Sequence, residues 1–183
     1  MATPETPDLE TERLILRGPT AADLSPWAAT IWGDADVMRY MPRSPDPPEV
    51  RAQKALSFFD VVRSQGKVGA WMIVDRASGR FMGHSMLAYR EKFGAPELGY
   101  ALGKAFWRRG FASEAARAVV RYGFQRADVT RMFAVAFPEN EPSWRILRQL
   151  GFTYEKDVVH YDLPLAYYGM TRDRFRVDDA VDP

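Results

Sequence analysis

Between residues 106 and 124 the chain reads FWRRGFASEAARAVVRYGF. Arg108 and Arg109 stand directly before Gly110, then come Phe111 and the small Ala112 and Ser113, and an amphipathic run follows. The first N–H groups of a helix have no partner within it and carry partial positive charge, so such a start can hold an anion by several donors at once. Gly110 lets the main chain approach a ligand with no Cβ between them. Two readings fit these residues: an anion site of pyrophosphate type, or a strand-to-helix turn with a solvated basic edge. Neither a Walker GxxxxGK(S/T) pattern nor a GxGxxG occurs to decide between them. Just upstream, residues 97–102 read ELGYAL. In a strand Glu97, Gly99 and Ala101 share one face, and a carboxylate followed by two tiny residues leaves a trough beside it.

Elements on either side must position these groups. Residues 13–17, RLILR, read as a first strand. Residues 20–23, TAAD, read as a capped helix start leading into Leu24, Trp27, Ile31 and Trp32 at near-helical spacing. Pro42, Pro45, Pro47 and Pro48 break the chain into a loop. A helix is expected over 49–65, with Val50, Ala55, Phe58, Phe59 and Val62 as its apolar stripe. Strands are expected at 70–75 and 80–90, around a hairpin turn at 76–79, and at 97–102. A helix follows over 110–126, then a buried strand over 131–137. Pro142 suits the first turn of a helix that runs to Leu150 and ends at Gly151. Two further strands are expected over 152–162 and 164–170. Residues 1–10 read as a flexible leader and 176–183 as a charged tail. The order predicts an α+β (mixed α/β) fold in a single domain over 11–175.

Composition narrows the chemistry. The 183 residues are 46% hydrophobic and 27% charged, which suits a soluble globular domain with a proper core. Net charge is +1, so nothing in bulk favours nucleic acid or a membrane surface, and any anion site must be local. The absence of cysteine excludes disulfides, thiolate metal sites and a cysteine acyl-enzyme. His84 and His160 are the only histidines and no HExxH spacing occurs, so no metal is expected. No apolar run approaches the roughly 18 to 20 residues of a membrane span. The start, MATPETPDLETER, lacks the apolar segment of a signal peptide, and a cytoplasmic location is expected.

With these residues in view, the chain resembles the GNAT superfamily of acetyl-coenzyme A-dependent N-acetyltransferases, in the branch that includes the ribosomal-protein N-terminal acetyltransferases. That family's pyrophosphate loop is Q/R-x-x-G-x-G/A, and residues 107–112 match it except that Trp107 stands where Gln or Arg is usual. Residues 11–17 are similar to the branch's first strand, 97–102 to its fourth, and 168–171 to its closing strand. Residues 140–152, NEPSWRILRQLGF, are similar to its N-x-x-S/A…GF segment. The resemblance implies a splayed, mostly antiparallel sheet of about seven strands with about four helices. It places acetyl-CoA, as co-substrate, between the fourth and fifth strands. The implied cofactor contacts are Leu102, Arg108, Arg109, Gly110, Phe111, Ala112, Ser113, Asn140 and Ser143.

The implied reaction moves an acetyl group to a primary amine by direct attack in a ternary complex. The acceptor is a protein or peptide N-terminal amine or a small-molecule amine. Glu97 is the candidate base, main-chain N–H groups near residues 100–102 the oxyanion donors. Leu147 occupies the position where many members carry a tyrosine acid, which leaves Ser143, with Tyr154 and Tyr168 as remoter candidates. Ser143 can equally be a helix-start residue bonded to its own backbone, and Glu97 a solvent-facing strand residue. His84 and His160 read as structural or groove-lining, and residues 39–43 as a rim of the acceptor groove. A homodimer is compatible with the family. A coenzyme A-binding sensor or assembly module without turnover is the competing reading, and nucleic-acid binding by Arg108 and Arg109 fits the charge balance poorly.

Overall fold

The computed structural model describes residues 6–64 and 68–175; the expected tail over 176–183 and the expected helix end at Gln65 lie outside them. Its strands are β1 (Leu9–Glu10), β2 (Leu14–Arg17), β3 (Gly69–Asp75), β4 (Phe81–Arg90), β5 (Ala95–Leu102), β6 (Arg131–Ala136), β7 (Thr153–His160) and β8 (Leu163–Thr171). They form one sheet in the order β1-β2-β3-β4-β5-β6-β8-β7. The run GAWMIV in β3 is buried throughout, as a strand covered on both faces must be.

Helices α1 (Leu24–Trp27), α2 (Ala35–Met38) and α3 (Pro48–Ser64) cover one face, packing Trp27, Ile31 and Phe59 on Ala70 and Met72. Helix α1 runs on into a π turn, Ala28–Trp32, closed by the Gly33 N–H on the Ala28 carbonyl at 2.8 Å. That turn brings Trp27 and Trp32, five residues apart, to a ring separation of 6.1 Å. In α3 the buried residues are Ala52, Phe59 and Val62, while Val50, expected in the stripe, is 41% exposed.

Helices α4 (Phe111–Gln125) and α5 (Glu141–Gln149) join the core of the opposite face, with Trp71, Ile73, Leu87 and Leu98. Helix α4 buries Phe111, Ala115, Val119 and Phe124, the larger of which contribute roughly 1.5–3 kcal/mol each. It lies close against the sheet at Gly123, where a Cβ would stand 2.7 Å from Leu87 Cδ2.

The mixed α+β class holds, with an eighth strand and a fifth helix beyond the expected numbers. The extra strand comes from the stretch read as a leader: Leu9 and Glu10 pair with Leu16 and Ile15, and the Pro7 carbonyl accepts from Trp71 Nε1 at 2.8 Å. Neighbouring strands are antiparallel except β5 and β6. Those two run parallel and meet at one register pair, Glu97 with Phe133. Beyond it they diverge, and their C-terminal ends frame an opening.

Candidate active site

On one side of that opening stands the start of α4. Gly110 takes φ +80°, a conformation a side chain resists, and Arg108 before it takes φ 59°. The Glu114 N–H closes the first helical turn on the Gly110 carbonyl at 3.0 Å. The amides of Phe111, Ala112 and Ser113 therefore have no acceptor behind them in the helix. The turn is held from the connection between β1 and β2. Arg13 Nε donates to Glu114 Oε2 at 2.7 Å, its Nη1 to the Arg109 carbonyl at 3.0 Å, and the Thr11 hydroxyl to Glu114 Oε1 at 2.6 Å. Burial would raise the Glu114 pKa, but these donors together hold it below the usual range. Trp107, the departure from the family loop, donates its indole N–H to the Leu102 carbonyl at 2.7 Å and ties the loop to the end of β5.

A cleft of about 520 Å³ lies against this turn. Its walls include Leu102, Arg108, Gly110, Phe111, Ala112 and Ser113, and, from the α5 side, Asn140 and Ser143. Arg109 is the exception among the sequence candidates. Its carbonyl is bonded to Arg13 and its guanidinium lies over the Phe111 ring, 4.9 Å from the centroid, so its side chain packs on the loop instead of lining the cleft.

A second cavity, about 370 Å³, continues beyond β5 under α1 and α3. Tyr40, Met41, Tyr100, Asn140 and Ser143 line both spaces. The Tyr100 hydroxyl spans the junction, 3.2 Å from both the carbonyl and Oγ of Ser143. Burial pushes this phenol up to about 12, against the hydrogen bond from Ser143, so it is protonated throughout the physiological range.

Glu97 lines the second cavity and is 3% exposed, which rules out the solvent-facing alternative. Arg90 Nε and the Tyr161 hydroxyl each donate to its Oε2 at 2.6 Å, with His160 Nε2 at 3.5 Å from the same oxygen. Burial works to raise its pKa; His160, Arg90 and Tyr161 outweigh it and hold the carboxyl below its ordinary value. The trough beside Glu97 is partly taken: a Cβ on Gly99 would lie 2.9 Å from Met86 Cε, and that thioether side chain itself lines the cavity.

His84 faces the same space as a groove residue. Its Nδ1 accepts from Trp27 Nε1 at 2.9 Å, and burial lowers its pKa to about 4, so the ring is neutral. Leu147 is buried and lines the cavity where a tyrosine was to be found. Tyr168 is buried beside β6 and Tyr154 is 55% exposed, bonded to Asp157; neither lines either of these two spaces. Of the expected rim, Arg39, Tyr40 and Met41 line the first cleft, Pro42 the second.

Sequence reasoning missed Arg90, Tyr161 and the Tyr100 hydroxyl. Arg90 carried a readable signal, since it lies on β4 two residues from Ala88, the cross-strand partner of Glu97. Tyr161 carried none, because its contact spans 64 positions. Among the described residues no group of three or more His, Cys, Asp or Glu side chains is placed to hold a metal, and no helix is long and apolar enough to cross a membrane.

Residues 13–153 match the family model described as the acetyltransferase (GNAT) domain. The chain is 34% identical over 156 residues to the uncharacterized N-acetyltransferase YoaA of Bacillus subtilis (strain 168), covering 85% of this chain and 88% of that one. Its fold is similar to that of a ribosomal-protein-S5-alanine acetyltransferase from Vibrio fischeri, with TM-score 0.76 at 19% identity over 93% of this chain and all of that one. It is similar also to Mycobacterium smegmatis RimJ in complex with CoA-disulfide, with TM-score 0.76 at 18% identity over 96% and 88%. A glycine-led helix start with open amides, a parallel strand pair that splays past a buried glutamate, and a family match across most of the chain agree: this protein belongs to the GNAT family of N-acetyltransferases.

Proposed function

We infer that the enzyme transfers an acetyl group from acetyl-CoA to a primary amine by direct attack within a ternary complex. The acceptor is a peptide N-terminal amine or a small-molecule amine. One observation carries this reading: two clefts, one walled by unpartnered helix amides and the other holding a buried carboxylate, meet at a hydroxyl pair. The amides of residues 111–113 and Arg108 receive the pyrophosphate. Leu102 flanks the pantetheine arm, and Asn140 and Ser143 face it from the other side.

In the second cavity Glu97 receives the acceptor. Its lowered pKa keeps it ionised, so it orients the ammonium and takes the released proton through water rather than stripping it directly. The neutral amine attacks the thioester carbonyl carbon, and a C–N bond forms. The oxyanion faces the edge of β5 that β6 has left, where main-chain N–H groups between residues 100 and 102 can stabilise it. The C–S bond then breaks, the nitrogen gives up its second proton, and the hydroxyl of Ser143, held by Tyr100, relays a proton to the thiolate and keeps one itself.

Coenzyme A binding without turnover remains the reading to beat, since a clamped glutamate also suits a structural ion pair. Glu97→Gln separates the two. Coenzyme A release from acetyl-CoA in the presence of an amine panel should fall about 100-fold, with acetyl-CoA affinity by calorimetry unaltered. A variant as fast as wild type removes Glu97 from the chemistry. A wild-type chain that binds acetyl-CoA yet acetylates nothing leaves the binding-module reading in place.

A further inference from the structure

The second cavity also carries information about which amine it takes, an inference that rests on the transfer reading above. Its walls are strongly aromatic, with Trp27, Trp32, Tyr40, Phe58, Phe59 and Phe137 around about 370 Å³. Two lining residues are charged, Arg90 and Glu97, and they are paired with each other at 2.6 Å. His84 is neutral, and the guanidinium of Arg51 sits 4.9 Å over the Trp32 ring, adding positive charge nearby. Glu97 can face one ammonium. A second one on the same acceptor would be desolvated here with no carboxylate to meet it.

Two N–H groups in the wall await an acceptor. Because Trp27 donates to Nδ1 of His84, the imidazole proton resides on Nε2. His84 is 8% exposed, and among the described residues its Nε2–H has no hydrogen-bond partner. Trp32 Nε1–H is buried and likewise has none. The two rings stack with centroids 5.9 Å apart. A buried donor such as the Trp32 N–H rarely stays unpaired. Both are uncharged, and Arg90 is engaged by Glu97 and Tyr161. An uncharged oxygen suits two uncharged donors, neither of which offsets the desolvation of a carboxylate.

We propose that the acceptor is a monoamine whose amine-bearing carbon also carries an apolar or aromatic side chain and an amide carbonyl, and that His84 and Trp32 read the carbonyl. An amino-acid amide and the first residue of a peptide share this chemistry.

Initial rates of coenzyme A release from acetyl-CoA by the full chain test it. Phenylalaninamide should exceed phenethylamine, which keeps the ring and amine but lacks the carbonyl, by at least about tenfold in kcat/KM referred to the neutral-amine concentration, since the carbonyl also makes the amide's ammonium more acidic. It should exceed spermidine and kanamycin by at least about 100-fold. A peptide beginning with phenylalanine, run beside the amide, tells which source the site prefers, and either order is consistent with the proposal. Trp32→Phe keeps the ring and deletes the N–H, and should narrow the ratio of phenylalaninamide to phenethylamine about fivefold or more. Polyamines outrunning the amide, a wild-type ratio near one, or an unchanged ratio in Trp32→Phe overturns it. Failure of the underlying reading looks different: no acetyl-CoA is bound, or no amine of the panel is acetylated at all.

Discussion

The two clefts that meet at Tyr100 and Ser143 are made of different material. The cleft against α4 is chiefly main chain, a left-handed glycine and three successive amides at the start of one helix. The cavity beyond β5 is chiefly side chains, gathered from α1, α3, β4, β5 and the β7–β8 hairpin. A main-chain site depends on backbone conformation and tolerates changes of side chain that leave the conformation alone. A side-chain site depends on identities at scattered positions, so it is where specificity can change while the reaction stays the same.

The comparison breaks most visibly at Gly110. Valine there must adopt φ +80° or abandon it, and its Cβ would meet Arg13 Nη2 at 3.2 Å. Gly110→Val should raise the coenzyme A Kd at least about tenfold, roughly 1.4 kcal/mol, when measured by calorimetry. Gly110→Asn sharpens the point, because asparagine enters the left-handed region more readily and should retain most of the affinity. Equal losses in both variants would count against a main-chain cradle and in favour of crowding by any side chain.

A smaller effect is expected at the junction. Tyr100→Phe removes a hydroxyl that holds Ser143 and leaves the ring packed, so kcat should fall about five- to tenfold while the KM for acetyl-CoA stays put. On a Ser143→Ala background the same change should add little, because the two hydroxyls act as one pair. Full additivity in that cycle would separate them and leave Ser143 as a helix-start residue alone.

What could be read from the chain follows the same division. The Gly110 turn, the burial of β6, the stop at Gly151 and the trough residues Gly99 and Ala101 are local patterns, and local patterns are what periodicity and turn chemistry report. Glu97 was legible as a carboxylate in a strand, but its state was not. That state is set by Arg90 on the neighbouring strand and by Tyr161, which the β7–β8 hairpin delivers at φ 54°. The packing of the Arg109 side chain on the loop was hidden for a related reason, since the sequence shows a basic pair but not that Arg13, far back in the chain, stands behind the loop. The edge strand at Leu9–Glu10 escaped notice because two residues in a proline-bearing stretch have too little pattern to reveal pairing. The phase shift in the π turn, which brings Trp32 beside Trp27 and His84, has no composition signal at all.

The smallest expected effect is an absence of titration. A general base tuned for direct proton abstraction has its pKa raised toward neutrality, whereas Glu97 is held below its ordinary value. Glu97 is therefore ionised, and His84, at about 4, is uncharged through the working range. Between pH 5 and 7 neither group changes state, so the rise of kcat/KM with pH should follow the acceptor's own ammonium, with a pKa near 8 to 10. The inflection should therefore move when the acceptor amine is changed, which a rate profile from pH 5 to 9 on two amines of different pKa measures. A fixed limb between pH 6 and 7, the same for both acceptors, would show a protein base and contradict the lowered carboxylate. Stability gives an independent reading with a definite sign. A depressed folded pKa stabilises the native state above the unfolded carboxyl value, and the contribution is lost as pH falls through the folded one. Glu97→Gln should thus be less stable than wild type above about pH 5, with the gap in Tm closing in more acidic buffer.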